Sequence, residues 1–548
     1  MTGIDVRGRR LDWLSIAIVV GVLLLPVIGL LHYQGPPMEE GFMLAFPEQI
    51  LNGQVPHRDF LHLYGPGSLW LLAAVYKVLG VSLTVERSVG LLQHAAVAFG
   101  LFAALRPWGR RVATSAAVVS VVILIGPLGL SAMAWNGALA LGVCALAVGT
   151  RAARRPEDDP TSRRLLALAG FLGGLALLFR PDLVLAVALG VGAIWWDLDR
   201  PRRRPLLLGA VAGVALYIPH LVISGPAESF RGMFLEPVFE LRGGRSLPIP
   251  PSWGEVDGFL QRAGALRQSG WPLPMPAVSH QIFLWFLLVP ASIVLVLVAA
   301  WRLRRRERGT ARSQAYWPLA LFGAALLQQA LQRPDTAHLS WVTGITFALC
   351  IPAISSLLEG VRPGWSVGAR TWVGIGAVGV VLVAVIPFYP LRTYGDLVGQ
   401  TFGRNRFGYA IENDGRTFYF GSQEGAADAQ RVTDRLQAEA QPGESLIVGP
   451  TDLSRTNYSD AFFYYLFPDL VPGTRYIEMD PGIADAPDSG LADELRTNDW
   501  LILSDAWSAW TEPNDSAGSG SDAPNQVVRD HYCKVEEAGT FQLLRRCR

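Results

Sequence analysis

Lysine is almost missing from this chain: of 47 basic residues among 548, only Lys77 and Lys534 are lysine. Charge of either sign is also scarce, because Asp, Glu, Lys and Arg together make up 17% of the sequence, against roughly 25% in typical soluble proteins. Hydrophobic residues reach 51% and the mean hydropathy is +0.29. This composition argues against a single water-soluble enzyme.

A net charge is also nearly absent, at +1, but this value hides a division along the chain. Residues 412–548 hold 24 acidic and 11 basic side chains, whereas residues 1–411 hold 22 acidic and 36 basic ones. A nucleic-acid-binding protein would carry its basic excess on a soluble face, so that class is excluded. The simplest organisation for this length is a membrane domain, residues 1–390, followed by a soluble domain, residues 391–548.

Apolar runs long enough to cross a bilayer recur throughout the first domain. They lie near residues 14–31, 88–105, 112–130, 135–150, 164–179, 183–197, 206–223, 281–301, 316–331, 340–358 and 371–388. Arginine clusters, which mark the cytoplasmic side of membrane proteins, alternate consistently with these runs. The pattern predicts a polytopic α-helical protein of the plasma membrane with about 11 transmembrane helices, a cytoplasmic N-terminus and an extracytoplasmic tail.

Two long outer loops interrupt this pattern. The first, residues 32–87, contains the apolar segment Ser68–Leu79, which is too short to cross a bilayer, and the segment Met38–Leu51. Both are predicted to be helices at the outer membrane surface. The second loop, residues 224–280, is rich in proline and is either a lid over the membrane helices or a substrate-contacting segment.

The tail alternates helical and strand patterns, which predicts an extracytoplasmic α/β domain. The predicted helices are Ala426–Ala440, Ser459–Phe467 and Leu491–Arg496, and the predicted strands are Ser445–Val448, Arg475–Met479 and Trp500–Ser504. A closing hairpin, Lys534–Glu537 with Thr540–Leu544, would bring Cys533 and Cys547 together. Outside the cytoplasm we expect these two cysteines to form a disulfide.

Ionisable residues at the rim of a membrane are costly and tend to be functional, and here they collect on the outer side. They are Glu39, Glu40, Arg58, Asp59, His62, Tyr64, Arg87, Arg180, Asp182, Arg333, Asp335 and His338. Two outer turns share the sequence Arg-Pro-Asp, at Arg180 and at Arg333. Each Arg–Asp pair either closes its turn as an ion pair or contributes to a shared polar site.

These residue types suit chemistry on a lipid phosphate. Guanidinium groups bind phosphate bidentately, and a nearby carboxylate can act as base towards a hydroxyl group. Glu39 and Glu40 begin a predicted helix, where the helix dipole favours the ionised carboxylate. The alternative is a helix start that carries a solvated acidic pair.

The first outer loop also resembles a known family. Residues 38–66 read MEEGFMLAFPEQILNGQVPHRDFLHLYGP. The acidic pair with Gly41 and the stretch from Gly53 to Phe60 are similar to the first outer loop of the GT-C superfamily. That group includes protein O-mannosyltransferases, lipid A aminoarabinose transferases and many actinobacterial enzymes of cell-wall biogenesis. The two Arg-Pro-Asp turns also resemble outer-turn motifs of these proteins.

The resemblance implies an inverting glycosyltransferase that uses a polyprenyl-phosphate-linked sugar and a cell-envelope glycan, lipid or protein acceptor. By position Glu39 carries over as the base, with Glu40 beside it and Asp59 in reserve. The implied phosphate-binding residues are Arg58, Arg180, Arg333 and His338, supported by Asp182, Asp335, Tyr64 and Lys77. Two departures are Glu39, where the family has Asp, and His57, where Tyr is common. Some relatives use a divalent metal, and the sequence leaves that requirement open.

Two other functions fit parts of the pattern. A transporter or flippase of lipid-linked glycans would share the arginines that face lipid phosphate. Transporters often contain internal repeats and interrupted helices near the midplane, whereas here the charges lie at the rim. A scaffold that anchors an outer interaction domain would explain the tail but not the rim charges.

Overall fold

The computed structural model describes residues 6–263, 270–404, 406–508 and 510–547. It confirms the predicted class: a polytopic helical membrane region is followed by a small domain with a mixed β-sheet. The side chains of Arg7, Arg9 and Arg10, on which the orientation of the first helix was predicted, lie outside the described part.

The helical region contains twenty helices in its described residues. They are α1 Val6–Leu24, α2 Val27–Leu31, α3 Glu39–Leu51, α4 Gly67–Leu79, α5 Leu83–Leu105, α6 Arg110–Leu128, α7 Ala134–Ala153, α8 Pro160–Phe179, α9 Val184–Asp197, α10 Arg200–Val214, α11 Tyr217–Ser224, α12 Pro226–Phe230, α13 Arg242–Arg245, α14 Phe259–Ala263, α15 Val278–Arg306, α16 Ala311–Ala325, α17 Leu327–Gln332, α18 Thr336–Val361, α19 Val367–Val380 and α20 Thr393–Thr401. Three π-helical segments, Arg231–Glu240, Val381–Val385 and Phe388–Arg392, connect some of them.

Nine helical segments in the described residues are long and apolar enough to cross a membrane. They match nine of the eleven predicted spans. The other two predictions, 183–197 and 316–331, fall on shorter helices: α9 has 14 residues, and α16 and α17 are separated at Leu326. The chain is therefore a multi-pass membrane protein, while the count of eleven stays a prediction.

Both helices predicted in the first outer loop are present, as α3 and α4. The prediction gave α3 one apolar face, with Phe42, Phe46 and Ile50 on it. In the structure α3 is buried almost all round, because α4 lies on one side and the tail helix Phe462–Leu466 packs on it as well. This covered helix carries the acidic pair.

The tail contains four helices and seven strands in its described residues. They are β1 Tyr409–Asn413, β2 Arg416–Phe420, α21 Gln423–Glu439, β3 Ser445–Pro450, α22 Phe462–Leu466, β4 Val471–Pro472, α23 Leu491–Thr497, β5 Trp500–Ser504, α24 Ala523–His531, β6 Tyr532–Ala538 and β7 Phe541–Arg546. β1 and β2 form a separate hairpin, and the other strands form a sheet in the order β4-β3-β5-β7-β6. β3 is parallel to β4 and β5, whereas β7 is antiparallel to β5 and β6.

One predicted strand of the tail is wrong. Arg475–Met479 is not a strand, and β4 at Val471–Pro472 takes the sheet edge instead. The reason is that this segment turns towards the first outer loop, where Leu61 N–H donates to the carbonyl of Arg475 at 2.9 Å. The predicted helix Ser459–Phe467 is also shorter, since only α22 is helical.

The ends of the β6–β7 hairpin lie side by side. Cys533 pairs with Arg545 in the sheet register, and Cys533 and Cys547 form a disulfide with Cα atoms 5.3 Å apart.

The division of the chain at residues 390 and 391 stays a prediction. α20 begins just after it and packs on α2, where Gly29 N–H donates to Thr401 Oγ1 at 3.0 Å.

Candidate functional site

The two adjacent glutamates at the start of α3 point to different places. Glu40 is 1% exposed and forms a bidentate ion pair with Arg87, with both hydrogen bonds 2.7 Å long. Arg87 also donates to the carbonyls of Leu30, Leu31 and Tyr33. The Glu40–Arg87 pair thus ties α3 and α5 to the end of α2, and of the two glutamates Glu39 alone remains partly exposed.

The glycine that follows this pair allows the tail to approach. A Cβ on Gly41 would lie 2.4 Å from the backbone nitrogen of Phe462 and 2.6 Å from the carbonyl carbon of Ala461. Real Cβ atoms do not come this close to backbone, so any larger residue would push α22 away from α3. Gly41 therefore sets the distance between the acidic pair and the tail.

Glu39 is contacted by a tail tyrosine. Tyr458 Oη donates to Glu39 Oε2 at 2.7 Å and accepts from Met38 N–H at 3.0 Å. Burial raises the pKa of the Glu39 carboxyl, although the Tyr458 hydrogen bond and the nearby Arg245 and Arg333 act in the opposite direction. A carboxylate with a raised pKa that can still reach solvent is suited to accept a proton.

Glu39 lines a cleft between the outer loops and the tail. The cleft is narrow, with a cavity volume of about 10 Å³, and it opens to solvent. Its lining residues are Glu39, Gly244, Arg245, Arg333, Asn457, Tyr458, Pro481, Trp510, Glu512 and Ser516. Two carboxylates, two guanidinium groups and two aromatic rings thus meet in one place.

The two arginines of the cleft are paired with tail carboxylates. Arg245, at the end of α13, forms an ion pair with Asp480, which is fully buried. Arg333 donates through Nε to Asp335 at 2.7 Å and through Nη1 to Glu512 at 2.8 Å. The cleft therefore holds cations that a phosphate could use, each already balanced by a carboxylate.

The structure brings the two Arg-Pro-Asp turns together through stacked aromatic rings. Arg180 lies over the ring of Trp135 at 5.0 Å, and Trp135 stacks on Trp341 with centroids 4.6 Å apart. The ring of His338 contacts Trp341 edge-on at 4.9 Å. His338 in turn lies 2.9 Å from Asp335. One row of side chains thus runs from the first turn to the second.

Within each turn the Arg–Asp pair is an ion pair, as one of the two interpretations expected. Arg180 binds Asp182 through hydrogen bonds of 2.9 and 2.7 Å, and Gln329 also donates to Asp182 at 2.7 Å. Asp335 is fully buried. Burial opposes its ionisation, but His338 and Arg333 hold the pKa of this carboxyl below its usual value.

Glu478, an acidic residue of the tail, lies close to the row of side chains that joins the two Arg-Pro-Asp turns. Burial raises the pKa of the Glu478 carboxyl to about 8, with Arg245, Glu39 and Arg180 as its charged neighbours. Glu478 is 3% exposed. Tyr64 lies between these groups, with the guanidinium of Arg180 4.3 Å from its ring centre.

Of the eleven residues predicted for the site, Glu39 and Arg333 line the cleft. Arg58, Asp59 and Lys77 belong neither to the cleft lining nor to the row of side chains between the two Arg-Pro-Asp turns. Asp59 is bound by the adjacent Arg58 through hydrogen bonds of 2.9 and 2.8 Å, and it accepts from Val55 N–H at 2.7 Å. This pair closes the turn that contains Pro56 and His57. Lys77 is on the exposed side of α4. Among the described residues no group of three His, Cys, Asp or Glu is placed to hold a metal ion.

Several residues in or next to the cleft were not among those predicted for the site: Arg245, Tyr458, Glu478, Asp480, Trp510 and Glu512. The rule that singled out Arg180 and Arg333 would have found Arg245, because it is also an arginine in an outer loop. The tail residues had no such signal. Tyr458 belongs to a set of tail aromatic residues whose spacing suits either stacking on sugars or a place in the core, and Phe462 and Phe463 of that set are fully buried.

Comparisons with known proteins give matches only among solved structures. No family model and no curated protein matches the chain. ArnT from Cupriavidus metallidurans, bound to undecaprenyl phosphate, is similar with a TM-score of 0.49 and 13% identity over 97% of each chain. The apo oligosaccharyltransferase from Archaeoglobus fulgidus is similar with a TM-score of 0.47 and 13% identity, over 96% of this chain and 74% of its own.

The oligosaccharyltransferase AglB from the same archaeon, in complex with an inhibitory peptide and a dolichol-phosphate, has a TM-score of 0.46 and 12% identity over 97% of this chain and 74% of its own. The similarity to ArnT and AglB extends over nearly the whole of this chain.

Proposed function

We propose that the protein is a glycosyltransferase that moves a sugar from a polyprenyl-phosphate donor to an acceptor hydroxyl on the extracytoplasmic face. The observation that carries this proposal is the placement of Glu39, a partly exposed carboxylate, in one cleft with Arg245 and Arg333. A base for the acceptor and cations for a departing phosphate are the two parts such a transfer needs.

In the proposed reaction Glu39 removes the proton of the acceptor hydroxyl as its oxygen attacks the anomeric carbon. The attack comes from the side opposite the phosphate, so the configuration at that carbon is inverted. The bond from the anomeric carbon to the phosphate oxygen breaks, and polyprenyl phosphate leaves with the bonding electrons. The proton remains on Glu39 until it passes to solvent.

The leaving group develops negative charge, which arginines stabilise through bidentate hydrogen bonds. Arg333 and Arg245 line the cleft itself, and Arg180 lies at the other end of the row of aromatic side chains. Arg58 and Lys77, which the resemblance also suggested for phosphate binding, are less suited because both are exposed and neither lines the cleft.

The acceptor would approach next to the tail. Tyr458 and Trp510 line the cleft and stack on one another with ring centroids 4.2 Å apart. Both rings are almost fully buried and Trp510 also stacks on Phe259, so they form a wall of the cleft beside which the acceptor would lie. We propose a cell-envelope glycan, lipid or protein as acceptor, and a hexose or pentose as the transferred sugar.

The proposal is tested with the purified full chain in liposomes, a panel of radiolabelled polyprenyl-phosphate sugars and a set of envelope-derived acceptors. The expected result is label in the acceptor together with release of polyprenyl phosphate in equal amount. Movement of labelled lipid across the bilayer without transfer would contradict the proposal and favour a flippase. Labelled acceptor with retained anomeric configuration would contradict the inverting step.

A further inference from the structure

Hydrogen-bond acceptors surround the guanidinium group of Arg333 and leave little room for a phosphate. Its Nε donates to Asp335, its Nη1 donates to the carbonyl of Arg245 and to Glu512, and its Nη2 donates to the other oxygen of Glu512. A guanidinium group has five N–H donors, and four are used here. The residue is 6% exposed, so solvent offers no alternative partner.

Glu512 holds Arg333 in the geometry that a phosphate would adopt. Two carboxylate oxygens face the two terminal nitrogens of the guanidinium, which is the bidentate arrangement shared by carboxylate and phosphate ligands. Asp335 is different, because it comes from the same turn and binds only Nε. Glu512 thus occupies the face of Arg333 that opens on the cleft.

Glu512 belongs to a short tail segment, Trp510–Ala517, that rests on the second outer loop. Asn514 donates from its side chain to the carbonyl of Ser246 at 2.7 Å, and Trp510 stacks on Phe259. On the tail side Tyr458 stacks on Trp510, and Asn457 donates to the carbonyls of Trp510 and Ser516. Such a segment can move without unfolding the sheet, since it lies between β5 and α24.

We propose that Glu512 occupies the anion site of Arg333 when donor is absent, and that the phosphate of the polyprenyl donor displaces it. This inference rests on the proposed function, because it concerns the same cleft. Binding of the lipid phosphate then requires the segment Trp510–Ala517 to leave the second outer loop. The tail thereby links the opening of the cleft to the arrival of donor.

The first test measures the affinity of the full-length protein for undecaprenyl phosphate in detergent, comparing wild type with Glu512→Gln. The amide has the same size but no charge, so it competes less with the phosphate. Charge-assisted hydrogen bonds are about twice as strong as neutral ones, and a tenfold change in affinity corresponds to about 1.4 kcal/mol. We therefore expect the Kd to fall about tenfold. Glu424→Gln, the same change on an exposed helix of the tail, is the control.

The second test needs no variant. Amide hydrogen exchange of the wild-type protein is measured with and without undecaprenyl phosphate, and peptides covering residues 510–517 should exchange faster when the lipid is bound. Equal affinities in the two proteins, or slower exchange in this segment, would overturn the inference and leave the proposed function standing. A lipid phosphate that binds neither protein would contradict both.

Discussion

At the scale of single residues, the acidic pair shows how neighbouring identical side chains acquire different tasks. Glu40 faces α5 and is neutralised by Arg87 in a fully buried bidentate pair. Glu39, one residue earlier on the same helix, faces the cleft and meets Tyr458. A helix turns by about 100° per residue, and this rotation alone separates a structural carboxylate from a reactive one.

Glu40→Gln is therefore expected to lower stability rather than to remove a reacting group. The amide leaves the charge of Arg87 buried without its partner, and breaking such a pair costs about 3–5 kcal/mol. Thermal unfolding in detergent, followed by tryptophan fluorescence, should show a clear fall in Tm relative to Glu424→Gln. A Tm unchanged from that of the control would show that Arg87 is satisfied by carbonyls alone.

The hydrogen bond from Tyr458 predicts a change in pH dependence. This bond lowers the pKa of Glu39 against the raising effect of burial, so Tyr458→Phe should raise that pKa further. A base must be ionised, and transfer is lost as pH falls through the pKa of Glu39. The acid limb of the rate profile should therefore move to higher pH in the variant.

The matched control for this profile is Tyr464→Phe, which removes a hydrogen bond to Val448 N–H inside the tail and lies outside the cleft lining. Its acid limb should coincide with that of the wild type. If the limb of Tyr458→Phe also stays in place, Glu39 is not the group whose ionisation limits the rate.

Glu478 predicts a pH dependence of stability. Burial raises its pKa to about 8 in the folded protein, above the value of about 4.3 that an unfolded chain gives a glutamate. The folded state then binds more protons between these values, so the free energy of unfolding contributed by Glu478 falls as pH rises through this window. The amide of Glu478→Gln resembles the protonated acid and cannot ionise. The free energy of unfolding of this variant should therefore lack the pH-dependent part that comes from Glu478.

The measurement is Tm against pH for wild type and Glu478→Gln. The variant should gain stability relative to the wild type as pH rises from about 4.3 to about 8. A difference between the two proteins that is constant over this range would mean that Glu478 has the same pKa folded and unfolded.

At the scale of elements, the contact between α3 and α22 decides where Glu39 and Tyr458 meet. Gly41→Ala would place a Cβ 2.4 Å from the backbone of Phe462, and backbone atoms cannot yield as a side chain could. We expect the two helices to separate, the Glu39–Tyr458 hydrogen bond to break and the transfer rate to fall by about a hundredfold, as misplacement by an ångström can do.

Gly192→Ala is the control for this change, since Gly192 lies within α9 and has nothing within 4 Å of its added Cβ. Its rate and Tm should stay near those of the wild type. Full activity in Gly41→Ala would show that the cleft tolerates a different spacing between α3 and the tail.

Most elements could be predicted from periodicity and hydrophobic runs, because each is fixed by its own residues. The strand Trp500–Ser504 and both helices of the first outer loop are examples. The β1–β2 hairpin was missed, although Asp414-Gly415 at its turn has positive φ at both positions, as type I′ turns require. Arg475–Met479 was assigned wrongly because its partner, Leu61, lies in a distant loop that no local pattern reveals.

Only part of the site could be predicted, because some of its residues have partners that are distant in the sequence. The residues of the outer loops carry a signal, since charge beside a membrane is costly, and Glu39, Arg180 and Arg333 were found in this way. Tyr458, Glu478 and Glu512 lie in the tail, where polar residues are common and give no such signal. Their importance follows from contacts with residues that are distant in the sequence. Tyr458, for example, binds Glu39, which is more than four hundred positions away along the chain.

At the scale of the whole molecule, the uneven distribution of charge joins the two parts of the chain. The membrane region has an excess of basic residues and the tail an excess of acidic ones. Two arginines at the outer end of the membrane region, Arg245 and Arg333, pair with the tail carboxylates Asp480 and Glu512. Arg416 of the tail pairs in the reverse sense with Glu48 of α3.

These contacts mean that neither part forms the cleft alone. The membrane region supplies Glu39 and the two arginines, and the tail supplies Tyr458, Trp510 and Glu512. The tail is therefore a wall of the proposed active site as well as a soluble appendage.

The measurement that tests the central claim most directly is the transfer rate of Glu39→Gln at saturating donor and acceptor. The change keeps the size of the side chain and removes its ability to take a proton, and general-base catalysis contributes about a hundred- to ten-thousandfold. The rate should fall by that factor while undecaprenyl phosphate still binds. Glu255→Gln, on the exposed surface of the second outer loop, should match the wild type. Transfer by Glu39→Gln at the wild-type rate would contradict the account.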